Sequence, residues 1–199
     1  VQVHGSFTGI RIGIALLKGL CFERNIEIVE MTSLENIFEI GLEKDINNMI
    51  YLSIIYANND QIYMGAYDDS FSDKGRKIVE CAGNVEECLE ELYFKLNVNK
   101  YDLKKLNYNF MVIYDKDTKD QGKELIKTIR EKMEEKILEC NVIFKEVNVD
   151  NSGFEKRIRD INSGKYVLEN DEIKREYEII PNYLKKSQAK RLLEKNNKN

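Results

Sequence analysis

"HGSFTGIRIGIALLKGL", His4 to Leu20, is the stretch on which the reading of this chain turns. Gly5 and Gly9 bracket a Ser-Phe-Thr turn, and an apolar run broken only by Arg11 and Lys18 follows. Wound at about 100° per residue, the run separates into faces. Ile10, Ile14, Leu17 and Cys21 form one stripe; Gly9, Ile12, Gly13, Leu16, Gly19 and Leu20 form a broader one roughly opposite; Arg11, Ala15, Lys18 and Phe22 lie between. A helix that is apolar around most of its girth is made to be covered on more than one side. The alternative, a phosphate-gripping loop, needs G-x-x-x-x-G-K-[ST] or G-x-G-x-x-G, and the Gly5, Gly9, Gly13 spacing matches neither.

Outward from that helix, composition narrows the classes. The chain has 199 residues, 42% of them hydrophobic, enough for one good core or two small ones. Its 31 Lys and Arg against 35 Asp and Glu leave a net charge of −4, so no overall field draws it to nucleic acid or an anionic membrane. The longest apolar run, Ile12 to Leu17, falls far short of the roughly 20 residues of a membrane span. Cys21, Cys81, Cys88 and Cys140 contain no C-x-x-C pair and read as free thiols of a reducing, cytoplasmic compartment.

Thr8 to Arg24 reads as the first helix, with Ser6 or Thr8 as its cap, and Ile26 to Met31 as a short apolar strand. Thr32 and Glu35 have capping-box spacing and open a helix that Gly41 ends. Met49 to Ala57 and Gln61 to Tyr67, separated by Asn58-Asn59-Asp60, predict a hairpin, with Arg76 to Ala82 as a third strand. Asn84 and Glu87 start a helix with Val85, Cys88, Leu89, Leu92 and Leu96 on one face. Strand Asn109 to Tyr114, helix Asp120 to Glu139 with Leu125, Ile129, Met133 and Ile137 in line, strand Asn141 to Val147 and helix Phe154 to Ser163 then alternate, as in a partly parallel sheet. An extended stub ends at Pro181, and a basic helix carries Lys185, Lys186, Lys190, Arg191, Lys195 and Lys198 to a frayed tip.

From Gly5 to Glu35 the sequence closely resembles the signature of the TsaB (YeaZ) family, the ASKHA-fold partners of TsaD in threonylcarbamoyladenosine synthesis on tRNA. Ser6, Phe7, Thr8, Gly9, Arg11, Gly13, Lys18, Gly19, Leu20, Ser33, Leu34 and Glu35 match the family pattern in register. Ala57 and Tyr63 match a later strand, and Pro181 to Ala189 resembles the closing Pro-x-Tyr-Leu-Arg segment. The departures are Val3-His4-Gly5 for Gly-Pro-Gly, Tyr56-Ala57-Asn58 for Asp-Ala-Arg and Tyr114-Asp115-Lys116 for Gly-Asp-Gly. Against the family's opening hairpins, with their Asp-Thr-Ser turn, a chain that starts at Val1 is expected to be an N-terminally truncated or degenerate member.

The resemblance implies an α/β ASKHA fold, actin-like or ribonuclease H-like, with an incomplete N-terminal lobe over residues 1–46 and a mixed-sheet C-terminal lobe over residues 47–199. It implies a cytoplasmic, non-catalytic subunit that pairs with TsaD as a heterodimer, with TsaE as a further partner and tRNA touched only indirectly. A homodimer is the competing assembly. The implied partner face is Phe7, Thr8, Gly9, Arg11, Ile12, Gly13, Leu16, Gly19 and Leu20. No catalytic residue, metal or cofactor is implied. Arg11 is a candidate for pairing across the interface, while Lys18 reads as a solvated charge. With no strands ahead of the first helix, the Ile10, Ile14, Leu17, Cys21 stripe is expected to lack cover and to form an exposed apolar patch.

Three other readings compete. An M22-like metallopeptidase or a serine or cysteine hydrolase needs histidines, and His4 is the one histidine of the chain. An ATP-binding enzyme of this fold needs the absent phosphate turn. A remnant without function is the third. Separately, the basic C-terminal helix could touch tRNA phosphates.

Overall fold

Runs of β-branched and aromatic residues in the middle of the chain build a five-stranded sheet that helices cover on both faces. The computed structural model describes residues 7–24, 26–43, 48–57, 61–68, 76–98, 109–118, 120–136, 141–166, 168, 173–174 and 178–180. In chain order the elements are α1 (Phe7–Cys21), β1 (Ile28–Val29), α2 (Ser33–Gly41), β2 (Met49–Tyr56), β3 (Gln61–Asp68), β4 (Arg76–Asn84), α3 (Val85–Val98), β5 (Asn109–Asp115), α4 (Asp120–Lys136), β6 (Val142–Val147), α5 (Ser152–Asn162) and β7 (Ile173–Lys174).

The sheet order is β4-β3-β2-β5-β6. β2, β3 and β4 form an antiparallel meander, and β5 and β6 run parallel to β2. Alternation along each strand sorts the side chains. Ile50, Leu52 and Ile54, with Ile62, Met64, Ala66, Phe110 and Val112, pack against α3 and α4. Met49, Tyr51, Tyr67, Met111 and Ile113 pack against α2. A strand covered on both faces is a continuous apolar run, which is why "MIYLSII" shows no alternation in sequence. Each such side chain withdrawn from water contributes roughly 1.5–3 kcal/mol. No helix among the described residues is long and apolar enough to cross a membrane.

Both capping pairs form as their spacing predicts. Thr32 Oγ1 accepts from the Glu35 amide at 3.1 Å and Glu35 accepts from the Thr32 amide at 2.7 Å. Asn84 and Glu87 do the same at 2.9 and 3.1 Å. The hairpin and the third strand are also as expected, while the turn at 58–60 lies outside the described residues. The basic C-terminal helix, His4 and the expected boundary at 46/47 likewise lie outside them. Along α4 the buried line is Ile126, Ile129 and Met133, with Leu125 only partly covered, because a 3.6-residue turn tilts the stripe relative to a strict four-residue spacing. β7 was not foreseen, since two residues leave no periodic signal.

α2 is fixed by aromatic packing and by a helix crossing. The Phe38 ring stacks on Tyr67 at 4.7 Å and meets Tyr51 edge-on at 5.3 Å. Where α5 crosses α2, Gly153 lies against the Asn36 carbonyl oxygen, and a methyl group there would overlap it. Gly153→Ala is therefore expected to destabilise the fold by about 1–3 kcal/mol, read as a lower denaturant midpoint at unchanged slope.

A polar group joins the N-terminus of α2 to the sheet. Thr32 and Tyr67 both donate to Glu80 Oε1, at 2.7 and 2.8 Å, and Lys77 lies 3.3 Å from Glu35 and 3.5 Å from Glu80. Burial, then the Glu80 and Glu35 charges, hold the Tyr67 phenol well above its ordinary 10.0. Burial works to lower Lys77, but Glu35 and Glu80 outweigh it and raise the ammonium above its ordinary value. In both cases the unfolded chain loses its proton first, so this stabilisation is complete below about pH 10 and is lost as pH rises beyond it. Tyr67→Phe removes the phenol's share, and melting temperatures between about pH 9 and 11 should then fall less steeply than in the unaltered protein.

Candidate partner interface

α1 holds one of its two apolar stripes against the chain itself. Cys21 joins Ile28 of β1 and Ile179 in a small buried cluster, with Ile14 and Leu17 packed against it. Beneath lies a two-stranded ribbon in which β1 and β7 pair antiparallel, Ile28 opposite Lys174 and Val29 opposite Ile173. The expectation of an uncovered Ile10, Ile14, Leu17, Cys21 stripe is corrected here: Cys21 is 4% exposed, and Ile10, Ile14 and Leu17 are half-buried. Ile28 of β1 and Ile179 supply the cover that the sequence reading assigned to strands ahead of the helix.

The opposite stripe is the open one. Ile12, Leu16 and Leu20 are 64%, 58% and 47% exposed, values far above those of core isoleucine and leucine. They stand four residues apart and so line up along the helix. Past the helix end, Phe22 and Ile26 are 61% and 42% exposed. Arg11 and Gly19 are exposed beside it, and a Cβ at Gly19 would meet nothing within 4 Å. Gly9 and Gly13 are half-buried. Phe7 and Thr8 open the helix, but their side chains lie outside the described residues. Of the residues expected on a partner face, Arg11, Ile12, Leu16, Gly19 and Leu20 thus share exposed positions on α1. Phe22 and Ile26, beyond the helix end, are also exposed and were not among the expected partner residues, Phe22 because a helical projection places it between faces.

A second cluster, with no motif to announce it, is buried between α2 and α5. Arg157 donates from Nε to Glu39 Oε1 at 2.8 Å, places Nη2 2.6 Å from the same oxygen, and donates from Nη1 to the Tyr166 hydroxyl at 2.9 Å. Its guanidinium also lies over the Tyr166 ring, 4.3 Å from the centroid. Lys156 Nζ is 2.9 Å from Glu39 Oε2 and donates to the Glu39 carbonyl. Burial works to lower the Arg157 group, but the Glu39 carboxylate outweighs it and keeps the guanidinium charged. These contacts run from α5 and Tyr166 to α2, an arrangement that holds the two helices together.

Nucleophilic chemistry finds little support among the thiols. Cys21, Cys81 and Cys88 are buried and free, and Cys140 lies outside the described residues. Its hydrogen bond with Cys88, then burial, raise the Cys81 thiol far above its ordinary value, so it stays protonated and unreactive. Among the described residues no three His, Cys, Asp or Glu side chains are grouped to hold a metal ion.

No protein-family model matches the chain, and no curated protein matches it. Solved structures do. The crystal structure of an uncharacterized protein with similarity to peptidase YeaZ from Pseudomonas aeruginosa superposes with a TM-score of 0.56, over 92% of this chain and 70% of that one, at 14% identity. YeaZ from Pseudomonas aeruginosa gives a TM-score of 0.50, over 91% and 70%, also at 14% identity. Likeness at this identity is likeness of fold: the chain has a YeaZ-like α/β fold of the ASKHA type, carried by its five-stranded mixed sheet.

Proposed function

We propose that this protein is a non-catalytic subunit that pairs with TsaD through the open stripe of α1 and so serves threonylcarbamoyladenosine modification of tRNA. The observation that carries the reading is the exposure of Ile12, Leu16 and Leu20 on a helix whose other apolar stripe is packed against its own chain. Large apolar side chains in a contiguous band are what a partner covers, each gaining roughly 1.5–3 kcal/mol when buried. The YeaZ-like fold supports the choice of partner, as do the matches from Ser6 to Glu35. In this reading Arg11 flanks the band and pairs with a carboxylate across the interface. The tRNA is handled by TsaD, and TsaE joins as a further member of the assembly in the cytoplasm.

The same band favours a second reading, self-association into a homodimer when no partner is present. Size-exclusion chromatography after co-expression with TsaD of the same organism separates the two. Co-elution with TsaD is expected for the unaltered chain and should be lost in Gly13→Leu and in Leu16→Glu, with the melting temperature of the isolated Leu16→Glu chain unchanged, as for a surface substitution. A soluble chain that never co-elutes with TsaD, but whose elution volume shifts with concentration and is restored to that of a monomer by Leu16→Glu, would reject the first reading in favour of the second.

A further inference from the structure

β6 is an edge strand: in the order β4-β3-β2-β5-β6, none of the described residues pairs with its outer side. The bonds it makes to β5 fix which of its backbone groups point out. The Phe110 amide donates to the Asn141 carbonyl at 2.8 Å and the Lys116 amide to the Val147 carbonyl at 2.9 Å, in a parallel ladder with Phe110 opposite Val142. In such a ladder alternate residues bond to the same neighbour. Ile143, Lys145 and Val147 therefore turn their N–H and C=O groups to β5, and Val142, Phe144 and Glu146 turn theirs outward. An open row of this kind is a template for another strand.

Proteins blunt such edges with bulges or with charged side chains. The opposite edge of this sheet has the first device. Between β3 and β4 the register steps from Ala66–Val79 to Tyr67–Lys77, which leaves Ile78 of β4 as an extra residue. β6 keeps an unbroken register with β5 from Val142 to Val147. Its two charges are tied back into their own chain: Lys145 donates to the Gly41 carbonyl at 3.2 Å and pairs with Glu43, and Glu146 accepts from the Tyr114 hydroxyl at 3.0 Å. Around them the edge is apolar, with Ile143 38% exposed and Val142 and Phe144 half-buried.

A second copy of β6 fits this edge in one antiparallel register. Centred on Phe144, the pairing sets Phe144 opposite Phe144 and Val142 opposite Glu146, so that all three outward residues fall in hydrogen-bonded pairs. Centred on Lys145, it would bring two ammonium groups face to face, and centred on Ile143 it would leave Glu146 without a partner inside the strand. The Phe144 register is complementary in charge as well. Arg130 of α4 lies over the Phe144 ring, 3.8 Å from its centroid. Glu146 of the second copy comes diagonally across from Phe144, at about 7–8 Å, within reach of a long side chain such as Arg130.

We propose that two copies of this chain join edge to edge through β6, antiparallel and centred on Phe144, so that their sheets become continuous. This surface is distinct from the exposed band of α1, and the proposal does not rest on the TsaD reading.

The experiment is sedimentation velocity on the full chain carrying Leu16→Glu, which disables self-association through α1, alone and with changes on β6. The Leu16→Glu chain should dimerise as its concentration rises. Phe144→Pro removes an N–H that points away from β5, a position where an edge strand tolerates proline, and should raise the dimer Kd about tenfold or more. Arg130→Glu leaves the backbone intact and should also weaken the dimer, and adding Glu146→Arg should restore it. Residue-resolved amide exchange gives an independent readout: with rising concentration the amides of Val142, Phe144 and Glu146 should slow, while those of Ile143 and Lys145 stay unchanged. A Leu16→Glu chain that remains monomeric at about 100 μM would overturn the proposal. So would a dimer whose exchange lacks that alternation, and a charge swap that fails to restore association would overturn the register.

Discussion

The burial of Phe38 between Tyr67 and Tyr51 is the contact on which the rest of the structure depends. It fixes α2 on the face of the sheet opposite α3 and α4. The helix is short, and a free helix of that length would not persist in water. It stands because its first turn is capped by its own Thr32 and Glu35, its middle is held by aromatic rings, and its last turn is tied to β6 through Lys145, which donates to the Gly41 carbonyl. The last of these contacts places a cation where the carbonyls of a helix end accumulate negative charge.

Local chemistry was legible, and long-range chemistry was not. The capping pairs at Thr32–Glu35 and Asn84–Glu87 are three-residue signals, and both form as spacing predicts. The strands from Met49 to Asp68 were readable because β-branched and aromatic runs bounded by turn residues have few other uses. The Glu39–Arg157 pair joins residues 118 apart, and nothing in the neighbourhood of either residue names the other. The close fit of Gly153 against Asn36 is equally silent in sequence, since a glycine near a helix start ordinarily signals a turn.

The α1 stripes show where the sequence reading reached its limit. A helical projection separates the two apolar stripes correctly, because the geometry of a helix is fixed by its backbone. It cannot tell which stripe the chain covers, because that depends on elements far away. Here the cover comes from Ile28 and Ile179, and Ile179 follows a strand too short to be recognised. The inner stripe, expected to lie open, is therefore packed, while Ile12, Leu16 and Leu20 of the expected partner face are left to the solvent.

The cover on the inner stripe changes what an exposed helix means in this fold. Had the inner stripe been bare, the apolar surface would follow from missing cover and would say nothing about a partner. With the inner stripe packed, the outer one is surplus to folding: Ile12 and Leu16 gain nothing for the monomer by being apolar, and polar residues there would serve solubility better. A side chain that costs the isolated chain solubility and contributes nothing to its core is most simply explained by a surface that covers it.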